Sequence, residues 1–292
     1  MNSALNKTSK ESRLEVLQTV RQLLRSRSYE ECLEVSRKAS ERFPRDAELK
    51  LLTAQAQMEL RCYHQAERIY RDLVGDEARR SKACLGLAQV YWNRNDLEKC
   101  VEIGLFAEKE GCALPQTSNL LGQALLKLDR SSEAENVFQR LTAVYRESAI
   151  GYLGLARLFI QQKAWESCDE VGLRAKANGL IHPQITNLHG QALMELRRFQ
   201  DLRAILADYF HSTGVMDRHM VPGPAVSDKR LAVPALMSMY RKACIGCGDY
   251  AAAVRFELEI SNANAQGEAM RKLFGGCAAY LPYFDNTILG AT

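Results

Sequence analysis

A small residue recurs along this 292-residue chain at a fixed interval of 34 positions. The series is Val20, Ala54, Ala88, Gly122, Ala156 and Gly190. Self-similarity at such a period is typical of stacked repeats, in which a unit too small to bury its own apolar face packs against its neighbours. The recurrence therefore predicts a linear stack of similar units and argues against a single compact core.

A second series of mostly small residues follows the first by 12 positions in every unit. It consists of Cys32, Ala66, Cys100, Ala134, Cys168 and Leu202. Small side chains on two facing helices let the helix axes approach closely. Around both series the apolar residues follow helical spacing, as at Leu97, Val101 and Leu105. Each unit is therefore predicted to be a helix, a short turn and a second helix, which gives an all-α fold.

Turn-forming residues stand where this interpretation needs them. Polar stretches at 93–96 and 129–132 separate the two predicted helices of a unit. Pro44, Pro115 and Pro183 lie near the ends of units, where a helix has to stop or start.

Two consecutive units also repeat together. Residues 84–130 match residues 152–198 at 21 of 47 positions, with an offset of 68. LGLA stands at 85 and 153, and the pattern NLxGQAL begins at 119 and 187. We interpret this as duplication of a two-unit block.

These residues give the chain a resemblance to the tetratricopeptide repeat, a 34-residue family unit with small residues at positions 8, 20 and 27. Two units carry the pattern most clearly, through Leu87, Ala88, Tyr91, Cys100 and Ala107, and through Leu155, Ala156, Phe159, Cys168 and Ala175. The chain departs from the family pattern where cysteine stands at position 20 and where His189 replaces the usual leucine at position 7. The resemblance implies a right-handed α-solenoid of antiparallel helix pairs.

Numbered from 1 at Arg13, six such units cover residues 13–210. Residues 1–12 are expected to form a flexible N-terminus. The register breaks after Phe210, and residues 211–230 are predicted to be a linker or an insertion loop. Residues 231–292 are expected to form an irregular seventh repeat with a capping helix, because terminal units of a solenoid are commonly atypical.

Composition narrows the functional classes. The formal net charge is only +4 and short basic clusters lack interleaved aromatics, which argues against nucleic-acid binding. No stretch approaches the roughly 20 apolar residues that would span a membrane, and no signal peptide is seen at the N-terminus. Nine cysteines, mostly in predicted helices, favour free thiols in a reducing compartment. We therefore expect a cytoplasmic protein.

The resemblance implies a concave groove lined by positions 2, 5, 9, 12 and 13 of each unit. Position 9 holds four glutamines and two arginines, and neighbouring groove positions add asparagine, tryptophan and lysine. The predicted partner-binding residues are Arg21, Gln55, Gln89, Trp92, Asn119, Gln123, Lys127, Arg157, Asn187 and Gln191. Glutamine amides both donate and accept hydrogen bonds, so this row suits the backbone of a bound protein segment. The alternative is that glutamine is simply a good helix former on a solvated face.

We therefore predict a scaffold or adaptor that binds another protein in the groove. Two alternatives remain open: a structural subunit of a large secretion, pilus or motility assembly, and a regulatory module switched through the linker. Self-association also stays open. No catalytic motif is seen, and Cys244 and Cys247 form a single CxxC pair, too few ligands for a structural zinc. No enzyme activity, metal or cofactor is predicted.

Overall fold

The computed structural model describes residues 12–213, 229–250 and 252–253. All regular secondary structure in these ranges is helical, which confirms the predicted all-α class. The helices are α1 Arg13–Arg25, α2 Tyr29–Arg42, α3 Ala47–Glu59, α4 Tyr63–Val74, α5 Arg80–Asn93, α6 Leu97–Lys109, α7 Pro115–Lys127, α8 Ser131–Val144, α9 Ala149–Gln161, α10 Trp165–Ala177, α11 Pro183–Glu195, α12 Phe199–Thr213 and α13 Lys229–Gly246.

The chain divides into two compact units, Met1–Arg146 and Glu147–Thr292. From this point on, a unit is one of these two parts, and each single repeat is called a helix pair. The first unit contains α1 to α8, and the second contains α9 to α13. Within each unit every helix packs against the next one along the chain, and each odd-numbered helix also contacts the next odd-numbered helix. This is the packing of a solenoid built from helix pairs.

The turn inside each of the first six helix pairs holds one residue in the left-handed region, with φ between 55° and 60°. These residues are Arg27, Arg61, Asn95, Asp129, Lys163 and Arg197. In every turn the next amide donates to the carbonyl five residues earlier, as Cys62 does to Gln57 at 2.8 Å. Because none of the six is glycine, packing of the helices has to offset about 1–2 kcal/mol of backbone strain per turn.

Helix starts are fixed by side chains and prolines. Ser12 and Glu15 form a reciprocal capping box at the start of α1. The Asp46 carboxylate accepts from the first backbone amides of α3 and pairs with Arg13 at 2.5 Å. Pro115 and Pro183 occupy the first turns of α7 and α11, where proline costs no hydrogen bond.

The two series of small residues lie in the core. Cysteine fits at position 20 because its thiol is small and points at nearby backbone. The Cys100 sulfur lies 3.6 Å from the Ala88 carbonyl oxygen in the same helix pair and 3.9 Å from that of Leu120 in the next. Cys168 makes the equivalent contact with Ala156 at 3.8 Å. Cysteine here acts as a buried, weakly polar substitute for alanine.

Large and small residues alternate at position 24 of the helix pairs, in the order Ser36, Tyr70, Gly104, Phe138, Gly172 and Leu206. The large rings need glycine opposite them. A Cβ atom on Gly86 would lie 2.4 Å from the Tyr70 ring, and one on Gly122 would lie 2.5 Å from Phe138. The period of this alternation is 68 residues, which matches the duplicated block in the sequence.

His189 forms part of a buried polar cluster in the second unit. Its Nε2 lies 2.6 Å from Oδ1 of Asp169, and the other oxygen of Asp169 pairs with Arg198. His189 and Asp169 are 3% and 6% exposed. The duplicated block has Val101 and Leu121 at the same two positions, so two buried apolar residues in the first unit correspond to a polar pair in the second.

The helix boundaries differ slightly from the predicted ones. Ser12 belongs to the cap of α1 and not to a flexible N-terminus. Helix α12 continues to Thr213 and α13 begins at Lys229, so both helices enter the predicted linker at 211–230. Residues 1–11, 214–228 and 254–292 lie outside the described ranges, and with them most of the expected linker and the capping helix.

Helix α13 packs on α11 and α12 in the way that α11 packs on α9 and α10. Gly248 follows it in the left-handed region, at φ 76°, and the Asp249 amide donates to the Cys244 carbonyl at 2.9 Å. This is the hydrogen-bond pattern of the six preceding turns. The start of the predicted seventh repeat therefore has the geometry of the others, while its second helix stays a prediction.

Candidate functional site

The exposed face of the first helices of each pair carries the predicted groove residues. In the first unit these helices are α1, α3, α5 and α7, and in the second they are α9, α11 and α13. Their side-by-side contacts place equivalent residues of successive pairs in rows. We refer to the row at position 9 as the position-9 row.

In the first unit the position-9 row consists of Arg21, Gln55, Gln89 and Gln123. Gln55 and Gln89 are exposed, whereas Gln123 is half-buried and its amide nitrogen donates to Oδ1 of Asn119 at 3.2 Å. Arg21 is also exposed but is held by an ion pair with Glu48 at 3.0 Å. The two middle glutamines are therefore the members of this row that are exposed and not held in an ion pair.

Gln55 and Gln89 line one cleft of about 710 Å³. Its other lining residues are Leu24, Tyr29, Met58, Glu59, Arg61, Tyr63, Tyr70 and Asn93. The cleft thus combines two amides with apolar side chains, aromatic rings and one charge of each sign. Burial raises the pKa of the Tyr70 phenol, and Glu59 raises it further, so this phenol stays neutral.

A row of apolar residues runs beside the position-9 row. It occupies position 12 and, in the first unit, consists of Leu24, Met58, Trp92 and Leu126, all half-buried. Our sequence analysis named only Trp92 from this row. The signal was present in the sequence, because these four residues are also 34 positions apart.

Trp92 is covered by a cation. The ammonium of Lys127 lies 4.1 Å from the centre of the Trp92 ring, a cation–π geometry that joins the third and fourth helix pairs. Two predicted groove residues thus contact each other. A partner that uses Trp92 as an anchor has to displace Lys127 or stack beside it.

In the second unit the position-9 row holds Arg157 and Gln191. Arg157 is exposed and donates to Oε1 of Gln184 at 3.4 Å, while Gln191 is half-buried. The side-chain oxygen of Asn187 is buried and has no hydrogen-bond partner among the described residues. Arg157 is therefore the most accessible predicted residue of this unit.

The CxxC pair lies at the end of α13. Cys244 is buried and its pKa is raised by that burial, whereas Cys247 is half-buried in the turn that follows. Within the described ranges, no three His, Cys, Asp or Glu side chains are placed to hold a metal ion. Nor does any helix there combine the length and apolar character needed to cross a bilayer.

Comparison with known proteins gives matches of two kinds. A family model for the tetratricopeptide repeat matches residues 119–167. Among solved structures, pilF of Pseudomonas aeruginosa is similar with a TM-score of 0.53 and 16% identity, covering 68% of this chain and 88% of that one. A tetratricopeptide repeat protein from Parabacteroides merdae gives a TM-score of 0.52 and 12% identity, covering 89% and 98%. No curated protein matches the sequence.

At these identities the solved structures show the fold, and the family model supplies the kind of repeat. Both agree with the helix pairs of a 34-residue period that this chain has. Such repeats generally serve as scaffolds for protein interaction. The chain has the fold of tetratricopeptide-repeat proteins, and its residues 119–167 match the family model of that repeat.

Proposed function

We propose that this protein is a scaffold or adaptor whose first unit binds a segment of another protein in the cleft lined by Gln55 and Gln89. The observation that carries the proposal is the cleft itself, because it places two exposed amides beside an apolar row. A volume of about 710 Å³ is in the usual range for a binding pocket.

The chemistry of the cleft fits a peptide. Each glutamine amide offers a donor and an acceptor, which matches the alternating N–H and C=O groups of a peptide backbone. Leu24 and Met58 offer apolar contact to a side chain of the partner, and methionine adapts its shape to different ligands. Glu59 and Arg61 at the edge of the cleft can set the orientation of the bound segment through its charges.

The remaining predicted residues extend this proposal. Asn119, Gln123 and Lys127 continue the polar surface on α7, and Trp92 adds an aromatic anchor on α5. In the second unit Arg157, Asn187 and Gln191 are the corresponding candidates, with Arg157 suited to a carboxylate. The proposal includes a cytoplasmic location and no catalytic step, cofactor or nucleic-acid partner.

Site-specific crosslinking tests the proposal. A photo-crosslinking amino acid in place of Met58 would sit in the cleft, and one in place of Gln139 on α8 would sit on an exposed surface outside its lining. We expect a discrete adduct with one partner from the Met58 position, identified by mass spectrometry together with the contacted segment.

A double variant completes the test. Gln55→Ala with Gln89→Ala should abolish the adduct without loss of helix content, because alanine is the better helix former. The matched control, Gln65→Ala with Gln139→Ala, removes two exposed glutamines from second helices and should leave the adduct intact. Equal adducts from both crosslinking positions, or an adduct that survives the cleft variant, would contradict the proposal.

A further inference from the structure

Besides Cys100, the third helix pair contains two cysteines that do not line the proposed cleft. Cys84 is buried in the first turns of α5, and Cys112 is half-buried just after the end of α6. The buried thiols of Cys32, Cys100 and Cys168 contact carbonyl oxygens, which explains them as packing residues.

The antiparallel pair brings the start of α5 to the end of α6. Arg80, one turn before Cys84, has its Nη1 atom 3.5 Å from Oε2 of Glu110. Gly111 then reverses the chain at φ 65°, and the Cys112 amide donates to the Ala107 carbonyl at 2.9 Å. Cys112 is therefore fixed at the same end of the pair as Cys84.

The Cys112 thiol is near enough to Cys84 to affect its ionisation. Burial and the Cys112 thiol raise the pKa of Cys84 to about 12, while the nearby Arg80 guanidinium acts in the opposite direction. Both cysteines are in the thiol form here.

The duplicated block provides a comparison. Sixty-eight residues on, the same positions hold Tyr152 and Leu180. There the Tyr152 hydroxyl accepts from Asn178 Nδ2 at 3.0 Å, so the side chain at this position of the first helix again reaches the end of the second. The third pair has two thiols at these positions.

We propose that Cys84 and Cys112 are a site of reversible disulfide formation, oxidised by a low-molecular-weight disulfide such as oxidised glutathione. The accessible Cys112 thiolate attacks one glutathione sulfur, the S–S bond breaks, and one glutathione leaves as a thiolate. Cys84 then loses its proton to water and attacks the Cys112 sulfur, which releases the second glutathione. Two protein thiols are oxidised and one glutathione disulfide is reduced to two thiols.

The bond would tie α5 to the segment that leads into α7. Its effect is local, since it closes a loop inside one helix pair and constrains the unfolded chain there. The raised pKa of Cys84 slows its attack, so the second step should be slower than the first.

The experiment incubates the folded, full-length protein with oxidised glutathione, quenches with a thiol-alkylating reagent and maps the peptides by mass spectrometry. We expect a peptide that joins Cys84 to Cys112, with glutathione on Cys112 as an earlier species. Subsequent dithiothreitol should return both thiols.

Variants separate the two steps. The Cys84→Ala variant should accumulate glutathione on Cys112, because the resolving thiol is absent. Cys100→Ala is the control: it removes a thiol that has no cysteine partner, so this variant should form the disulfide as the parent does. If the parent protein instead keeps glutathione on Cys112 while Cys84 stays alkylatable after unfolding, the proposal is wrong. It is equally wrong if the linked peptide appears only when oxidation is carried out in denaturant.

Discussion

At the scale of single residues, the second unit differs from the first by a buried polar cluster. Asp169 and His189 replace the apolar Val101 and Leu121 of the duplicated block, and Arg198 closes the cluster. A buried polar group costs stability when its partner is lost, whereas replacing both partners by apolar residues of similar shape is often neutral or favourable. Val101 and Leu121 of the first unit are therefore the natural apolar replacements for Asp169 and His189.

We therefore expect Asp169→Val alone and His189→Leu alone each to lower the free energy of unfolding by about 1–3 kcal/mol. The double variant should come within about 1 kcal/mol of the parent or exceed it. Urea denaturation of the four proteins measures this cycle. Additive losses in the double variant would show that the two side chains do not act as a pair.

The same histidine makes stability depend on pH. Burial lowers the pKa of His189 below its ordinary value of 6.5, Arg198 and Lys176 lower it further, and the hydrogen bond to Asp169 acts in the opposite direction. Because the unfolded chain then binds the proton more readily than the folded one, protonation favours unfolding. Stability of the parent should fall as the pH drops below about 6.5.

Comparing the parent with the double variant isolates the contribution of the His189–Asp169 pair, since every other titrating group is shared. We expect the difference in the free energy of unfolding between pH 7.5 and pH 5.5 to be smaller in the double variant. An identical pH dependence in the two proteins would assign it to other groups.

At the scale of the helix pair, the turns hold six residues in a conformation that favours glycine. Lys163→Gly should stabilise the protein by about 0.5–1 kcal/mol, because glycine adopts a positive φ without steric cost. The adjacent Gln162, in an ordinary right-handed conformation, is the matched control: Gln162→Gly should be neutral or destabilising. Thermal unfolding followed by circular dichroism distinguishes the two, and a loss of stability in both would indicate that the Lys163 side chain matters more than its backbone.

At this scale most of the fold could be predicted from the sequence. The six helix pairs and their turns follow from the 34-residue recurrence, because small residues, apolar spacing and turn residues all point to the same register. The partner of His189 could not be predicted, since Asp169 lies on another helix and the duplicated block has valine there. The contact of Lys127 with Trp92 was missed for a related reason: both residues were assigned to the groove separately, and their proximity depends on how neighbouring pairs pack.

At the scale of the whole molecule, the division at Arg146 and Glu147 has no counterpart in the repeat pattern. The 34-residue spacing passes through this point unchanged, so periodicity alone could not locate it. Repeats contact chiefly their neighbours, and a local disturbance should therefore stay near its origin.

Gly86→Ala tests how far such a disturbance travels. The new Cβ would meet the Tyr70 ring at 2.4 Å, and overpacking of this kind costs about 1–3 kcal/mol. By hydrogen exchange, we expect faster exchange in α4 and α5 and little change in α11 to α13. The control Gly75→Ala places its Cβ in open space and should leave exchange unchanged. Acceleration throughout both units would mean that they unfold together.

The alternation of large and small residues at position 24 also limits how this chain can change length. A copy of the second helix pair inserted after itself would bring Leu52 to the place where Gly86 now receives the Tyr70 ring. Only a helix pair with glycine at the place of Gly86 can follow the second pair without displacing the Tyr70 ring. Gain or loss of sequence in this protein should therefore keep the second and third helix pairs together, and designed length variants should be cut at other junctions.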